Sequence, residues 1–141
     1  MMVRMFKSKI HRATITQAEL HYKGSCTLDP DLIEAANMMP YEEIHILNIN
    51  TGARFSTYII EGERGKGECC LNGAAARLGQ PGDLVILLTY AQMTAEEARV
   101  HEPTVVHVDG RNHITEIVKG DLPGIDTYAV HNHPDILGMI G

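Results

Sequence analysis

Between positions 44 and 60 the chain reads as two strand-forming runs joined by a tight turn. Ile44, Ile46, Leu47 and Ile49 supply the first run, and Phe55, Thr57, Tyr58, Ile59 and Ile60 the second. Asn50-Thr51-Gly52 separates them, with glycine where a positive φ is often required. β-Branched and aromatic residues suit a pleated, half-buried surface, so the segment predicts a hairpin. The same grammar recurs downstream. The run 84–88, Leu-Val-Ile-Leu-Leu, follows the turn Pro81-Gly82-Asp83 and predicts a strand buried on both faces. A further hairpin is predicted from 104–108 and 114–118 around Asp109-Gly110.

Helices are expected to be short. Asp29 and Pro30 supply an N-cap and a first-turn proline before residues 31–36, and Asn37 stands near the stop. Thr94 and Glu97 have capping-box spacing ahead of Ala98 and Arg99. A third helical turn is expected from Asn72 to Arg77. Strands interrupted by short helices within 141 residues favour a small closed barrel over a sandwich. No repeat or linker divides the chain, so residues 1–141 read as one all-β domain with a few short helices. Residues from about 120 to 141, rich in Gly, Pro, Asp and His, read as a loosely packed tail.

Composition narrows the function. Only 5% of residues are aromatic against 44% hydrophobic, so aliphatic side chains must build the core. A formal charge of −6 gives no electrostatic footprint for nucleic acid. The start of the chain has neither a signal-peptide apolar region nor a membrane span, which points to the cytoplasm. Cys26, Cys69 and Cys70 form an odd set with two neighbours, which argues against a disulfide framework. No zinc spacing is present, and His131 and His133 fit a tail better than a metal site, so no metal is expected.

The segment from Leu20 to Asp29 carries the chemistry. Glycine tolerates strained backbone angles, and in a Gly24-Ser25 pair the serine hydroxyl can attack the preceding carbonyl. The amide becomes an ester. Elimination then leaves dehydroalanine, and hydrolysis of that group yields a pyruvoyl ketone and ammonia. Taken alone, a Gly-Ser pair is common and usually forms a turn.

Five blocks supply the context: Lys9-Ile10-His11-Arg12, the run Leu20 to Ser25, Arg54-Phe55-Ser56-Thr57-Tyr58, Glu63-Arg64-Gly65, and Leu71-Asn72-Gly73-Ala74-Ala75-Ala76. In this order and spacing, across residues 1–108, they resemble the aspartate 1-decarboxylase family. The resemblance implies a double-psi β-barrel, a homotetramer with active sites between neighbouring subunits, and decarboxylation of L-aspartate to β-alanine for pantothenate and coenzyme A synthesis. It also implies self-cleavage between Gly24 and Ser25 into a β chain, residues 1–24, and an α chain, residues 25–141, capped by the pyruvoyl cofactor. Some relatives mature with an acetyltransferase-like helper.

The resemblance distributes roles residue by residue. Ser25 is the cofactor precursor and forms the Schiff base with the substrate, the electron-sink task otherwise done by pyridoxal phosphate. Tyr58 is the proton donor, a role that suits a side chain protonated near neutral pH. Without the family pattern it reads as a strand tyrosine with its ring in the core. Thr57 binds substrate and assists rearrangement at Gly24, although neighbours on a regular strand point to opposite faces. Gly73, Ala74 and Ala75 offer backbone contacts to substrate, and Asn72 is an N-cap, a polar site residue, or both. Arg54 can grip a carboxylate with a bidentate fork, and is assigned to the one that is retained; Lys9 is the competing cation. His11 and Tyr22 flank the site.

Position 47 is Leu where some family members have Trp, and no family pattern is evident beyond about position 113. Two other readings stay open: a non-catalytic double-psi barrel that binds a ligand, and a pyruvoyl decarboxylase for another amino acid.

Overall fold

A computed structural model describes residues 1–120; the tail expected from about 120, with His131 and His133, lies outside the described residues. The elements follow the order β1 (Met2–Thr14), β2 (Gln17–Glu19), β3 (Ser25–Leu28), α1 (Pro30–Ala35), β4 (Glu43–Asn48), β5 (Arg54–Glu61) and β6 (Cys69–Asn72). A 3-10 helix, Gly73–Leu78, comes next, followed by β7 (Leu84–Thr94), α2 (Ala95–Val100), β8 (Thr104–Val108) and β9 (Ile114–Lys119). The all-β expectation holds, and each expected short helix is present.

Local chemistry sets the helix boundaries. The Asp29 side chain accepts from the Asp31 N–H at 2.8 Å, and Pro30 occupies the first turn of α1. Thr94 and Glu97 close a reciprocal capping box on α2. Both helices have only six residues, so tertiary contacts rather than propensity hold them.

The strands are ordered β2-β6-β3-β5-β4-β7-β1-β8-β9. Its first member, β2, continues β1 along the chain through Ile15 and Thr16. Ile15 N–H donates to the Asp83 carbonyl beside β7, and Thr16 N–H donates to the Cys69 carbonyl of β6. The β1–β2 segment therefore spans both sides of the wall, and chain continuity completes the circuit that hydrogen bonding alone leaves open. Parallel pairings of β2 with β6, β3 with β5 and β1 with β8 interrupt the otherwise antiparallel sheet, and β3 sits between β5 and β6.

The core is aliphatic, as the composition demanded. Ile10, Leu28, Ile44, Ile46, Ile59 and Leu71 are fully buried, each contributing about 1.5–3 kcal/mol of transfer free energy. One expectation needs correcting. The run 84–88 is not buried on both faces: Val85 and Leu87 are buried, while Leu84, Ile86 and Leu88 are half-buried. A strand in a barrel wall has one inner face, and the outer residues lie beside β1 and β4 instead.

Candidate active site

The Gly24-Ser25 bond lies where an exposed turn enters the wall. Tyr22 N–H donates to the Glu19 carbonyl at 3.2 Å, closing the turn after β2. Residues 21–24 are exposed, whereas Ser25 and all of β3 are buried. The bond thus joins a solvated glycine to a buried serine that is paired with Asn72 of β6.

Strand alternation sorts β3 and β6 into two faces. Cys26, Leu28, Cys69 and Leu71 point into the core with no exposure. Ser25, Thr27, Cys70 and Asn72 occupy the opposite face, with Ser25 paired to Asn72 and Thr27 paired to Cys70. Asn72 Nδ2 donates to Ser25 Oγ at 2.9 Å and to Thr27 Oγ1 at 2.8 Å. Ser25 Oγ–H is directed at the Lys23 carbonyl at 3.4 Å, and Cys70 Sγ donates to Asn72 Oδ1 at 3.2 Å. Burial first, then the carboxylates of Glu68 and Glu19, push the Cys70 thiol up to about 11, so it stays protonated. Cys26, raised first by its hydrogen bond with Cys69 and then by burial, is an unreactive core thiol.

Gly73 begins the 3-10 helix at φ +65°, and a β-carbon there would lie 2.6 Å from Gly24 Cα and 2.8 Å from Gly24 N. Only glycine allows this approach. Ala75 is buried, while Ala74 is exposed at the same edge.

The pairing of β3 with β5 starts at Cys26 and Ile59, both buried in the core. One step earlier stand Ser25 and Tyr58, on the outer face together. Tyr58 is 38% exposed, so its ring is not in the core. Thr57 lies on the inner, half-buried face with Phe55 and Ile59. Thr57 and Tyr58 therefore straddle the strand.

The remaining candidates gather elsewhere. Arg54 shares the outer face with Tyr58 but is four residues away, about 13 Å along the strand at ~3.3 Å per residue. It lines a cavity of about 220 Å³ with His45, Leu47 and Ser56. Lys9 pairs with Leu88, which pairs with His45, which pairs with Ser56, so all four form one row across the wall. His11 is paired with His107, and their rings meet edge-on at 5.5 Å. Along the hydrogen-bonded order, β5, β4 and β7 lie between β1, which carries Lys9 and His11, and β3, which carries Ser25. The structure thus brings Ser25, Tyr58, Asn72 and Gly73 together; Arg54 lies further along β5 beside His45 and Ser56, Lys9 is in the row that ends at Ser56, and His11 lies beside His107.

Thr27 and Cys70 escaped the sequence reading. Their signal was the alternation in Ser-Cys-Thr-Leu and Cys-Cys-Leu-Asn, which sets polar residues opposite core positions. The geometry suits a serine-derived carbonyl: position 25 is held in the wall, the Asn72 amide faces it, and no side chain from residue 73 covers the cleavage point. Among the described residues no group of three or more His, Cys, Asp or Glu is placed to hold a metal ion, and no helix is long and apolar enough to cross a membrane.

Fold and site together define a small β-barrel protein built around a Gly-Ser bond held between strands. The chain belongs to the aspartate decarboxylase family, whose model matches residues 1–115. It is 57% identical over 124 residues to the aspartate 1-decarboxylase of Pelotomaculum thermopropionicum, covering 88% of this chain and 94% of the relative. The enzyme of the same name from Dehalococcoides mccartyi strain CBDB1 is 53% identical over 116 residues, covering 82% and 94%. That from Ruminiclostridium cellulolyticum is 57% identical over 115 residues, covering 82% and 90%.

Proposed function

We propose that this protein converts L-aspartate to β-alanine and carbon dioxide in the cytoplasm, using a pyruvoyl group made from Ser25. The product would feed pantothenate and coenzyme A synthesis. The carrying observation is the 2.9 Å hydrogen bond from Asn72 Nδ2 to Ser25 Oγ at a buried serine preceded by an exposed glycine.

Maturation begins when Ser25 Oγ adds to the Gly24 carbonyl carbon and the Gly24–Ser25 C–N bond breaks. The nitrogen leaves as the amine of residue 25, and an ester links the two residues. The Asn72 amide is placed to stabilise negative charge as it develops on oxygen. Thr57, half-buried on β5, is assigned to assist the rearranging carbonyl. Loss of the Ser25 Cα proton with cleavage of Cβ–Oγ frees residues 1–24 as a carboxylate. Water then replaces the nitrogen of the dehydroalanine, releasing ammonia.

The resulting pyruvoyl group supplies the carbonyl that captures the substrate amine and the electron sink for loss of carbon dioxide. Tyr58, on the outer face beside position 25, is placed to return a proton to Cα. Arg54 holds the retained carboxylate, with Lys9 in the same region. The backbone of Gly73, Ala74 and Ala75 borders the substrate, and His11 and Tyr22 flank it. Because one chain keeps Arg54 and Lys9 apart from Ser25, the site closes between neighbouring copies. A homotetramer provides this arrangement.

Intact mass tests the reading. The purified chain, alone or with an acetyltransferase-like helper, should give fragments 1–24 and 25–141, the latter ending in pyruvoyl, and should release β-alanine from aspartate. A fully active protein that remains a single uncut chain would overturn it. A cut, pyruvoyl-bearing protein that ignores aspartate but decarboxylates another amino acid would reassign the substrate alone.

A further inference from the structure

We propose that Cys70 is a positioning residue for self-cleavage, fixing the Asn72 side-chain amide so that its NH2 group faces Ser25. The inference rests on the maturation reading above and extends it to a residue with no assigned part.

Asn72 presents two chemically different ends to a closed pocket. As placed, its NH2 spends both protons, one on Ser25 Oγ and one on Thr27 Oγ1, while Oδ1 accepts from Cys70 Sγ at 3.2 Å. Ser25, Cys70 and Asn72 are 0%, 3% and 2% exposed, so solvent offers no substitute partners. Turning the amide over would also be compatible with Ser25 and Thr27, because either hydroxyl can donate to Oδ1. The two orientations have opposite consequences. With NH2 toward Ser25, the amide stabilises charge on the attacking oxygen; with Oδ1 toward it, the amide holds the serine proton and opposes that charge.

Cys70 distinguishes the two. A thiol is a donor when protonated and only a weak acceptor, so it pairs well with Oδ1 and poorly with NH2. Strand pairing explains its place: Thr27 is opposite Cys70 and Ser25 is opposite Asn72, which puts all four on one face. Glu68 and Glu19 add to the burial that keeps the thiol protonated.

The test compares Cys70→Ser, Cys70→Ala and Cys70→Val with the parent, following cleavage after Gly24 by intact mass over time and folding by thermal melting. Serine retains a donor but also accepts well, so it supports the active orientation without excluding the turned one, at a cost of about twofold; alanine and valine have no donor, and valine keeps the volume filled. The expected result is cleavage in Cys70→Ser within about threefold of the parent and roughly tenfold slower cleavage in both Cys70→Ala and Cys70→Val. If only one of the donor-free variants folds, that variant decides. Parent-like cleavage without a donor, or equally slow cleavage with serine, overturns the role of Cys70 and leaves the maturation reading intact. A parent that never cleaves, with or without helper, overturns both.

Discussion

Gly73 meets Gly24 so closely that a methyl group on the first would lie 2.6 Å from the α-carbon of the second. The contact joins the start of the 3-10 helix to the residue whose carbonyl is to be attacked. Gly73→Ala faces that clash and a φ of +65°. It is expected to lower stability by about 1–3 kcal/mol and to leave most of the chain uncut. Thermal melting and intact mass report the two effects. Parent-like cleavage in this variant would show that β6 yields readily from β3.

Ser25 and Tyr58 share a face but separate in function. Ser25→Ala should remain full length and inactive, since no hydroxyl is available to attack Gly24. Tyr58→Phe should still cleave and carry pyruvoyl, yet lose about 10²-fold or more in turnover, the usual scale for losing a general acid. Steady-state kinetics on fully cleaved protein decide the matter. Undiminished turnover would remove Tyr58 from proton transfer.

The separation of Arg54 from Ser25 makes a prediction about mixed assemblies. Ser25→Ala and Arg54→Gln chains should each be inactive alone. If each site takes Ser25 from one copy and Arg54 from its neighbour, coexpression restores about a quarter of the sites, as random pairing requires. If both residues act within one chain, coexpression restores nothing. β-Alanine formation by the copurified mixture distinguishes the cases.

Turns and caps were legible in the sequence because their signals are local. Asp29-Pro30 and Thr94 with Glu97 mark α1 and α2, and the turn at Asn50-Thr51-Gly52 marks the β4–β5 hairpin. The first strand was not, although β1 is 13 residues long. Its Lys, Arg and His residues obscure an alternation that matters only once β7 and β8 flank it. The run at 84–88 misled in the opposite sense, because apolar side chains look alike whether they face a core or an outer wall. Resemblance named the site residues, but pairing register explains them. That Thr57 and Tyr58 straddle β5, with Tyr58 alone on the face of Ser25, depends on Cys26 lying opposite Ile59, a contact between residues far apart in the chain.

Asp29 ties the end of the cleavage strand to its surroundings and makes stability sensitive to acid. Its carboxylate is 3% exposed and accepts N–H bonds from Asp31 and Gly67, both at 2.8 Å. Burial alone would raise its pKa, but the backbone N–H groups of Asp31, Gly67 and Gly65, with Arg64 nearby, outweigh it and hold the group below its ordinary value. A depressed carboxyl pKa adds stability above the unfolded value of about 4 and loses it as pH falls through the folded value. Asp29→Ala removes the α1 cap as well, and should cost about 1–2 kcal/mol at neutral pH. The difference in melting temperature between this variant and the parent should shrink steadily below about pH 4. A gap that stays constant into strong acid would mean that the charge on Asp29 contributes nothing beyond its shape.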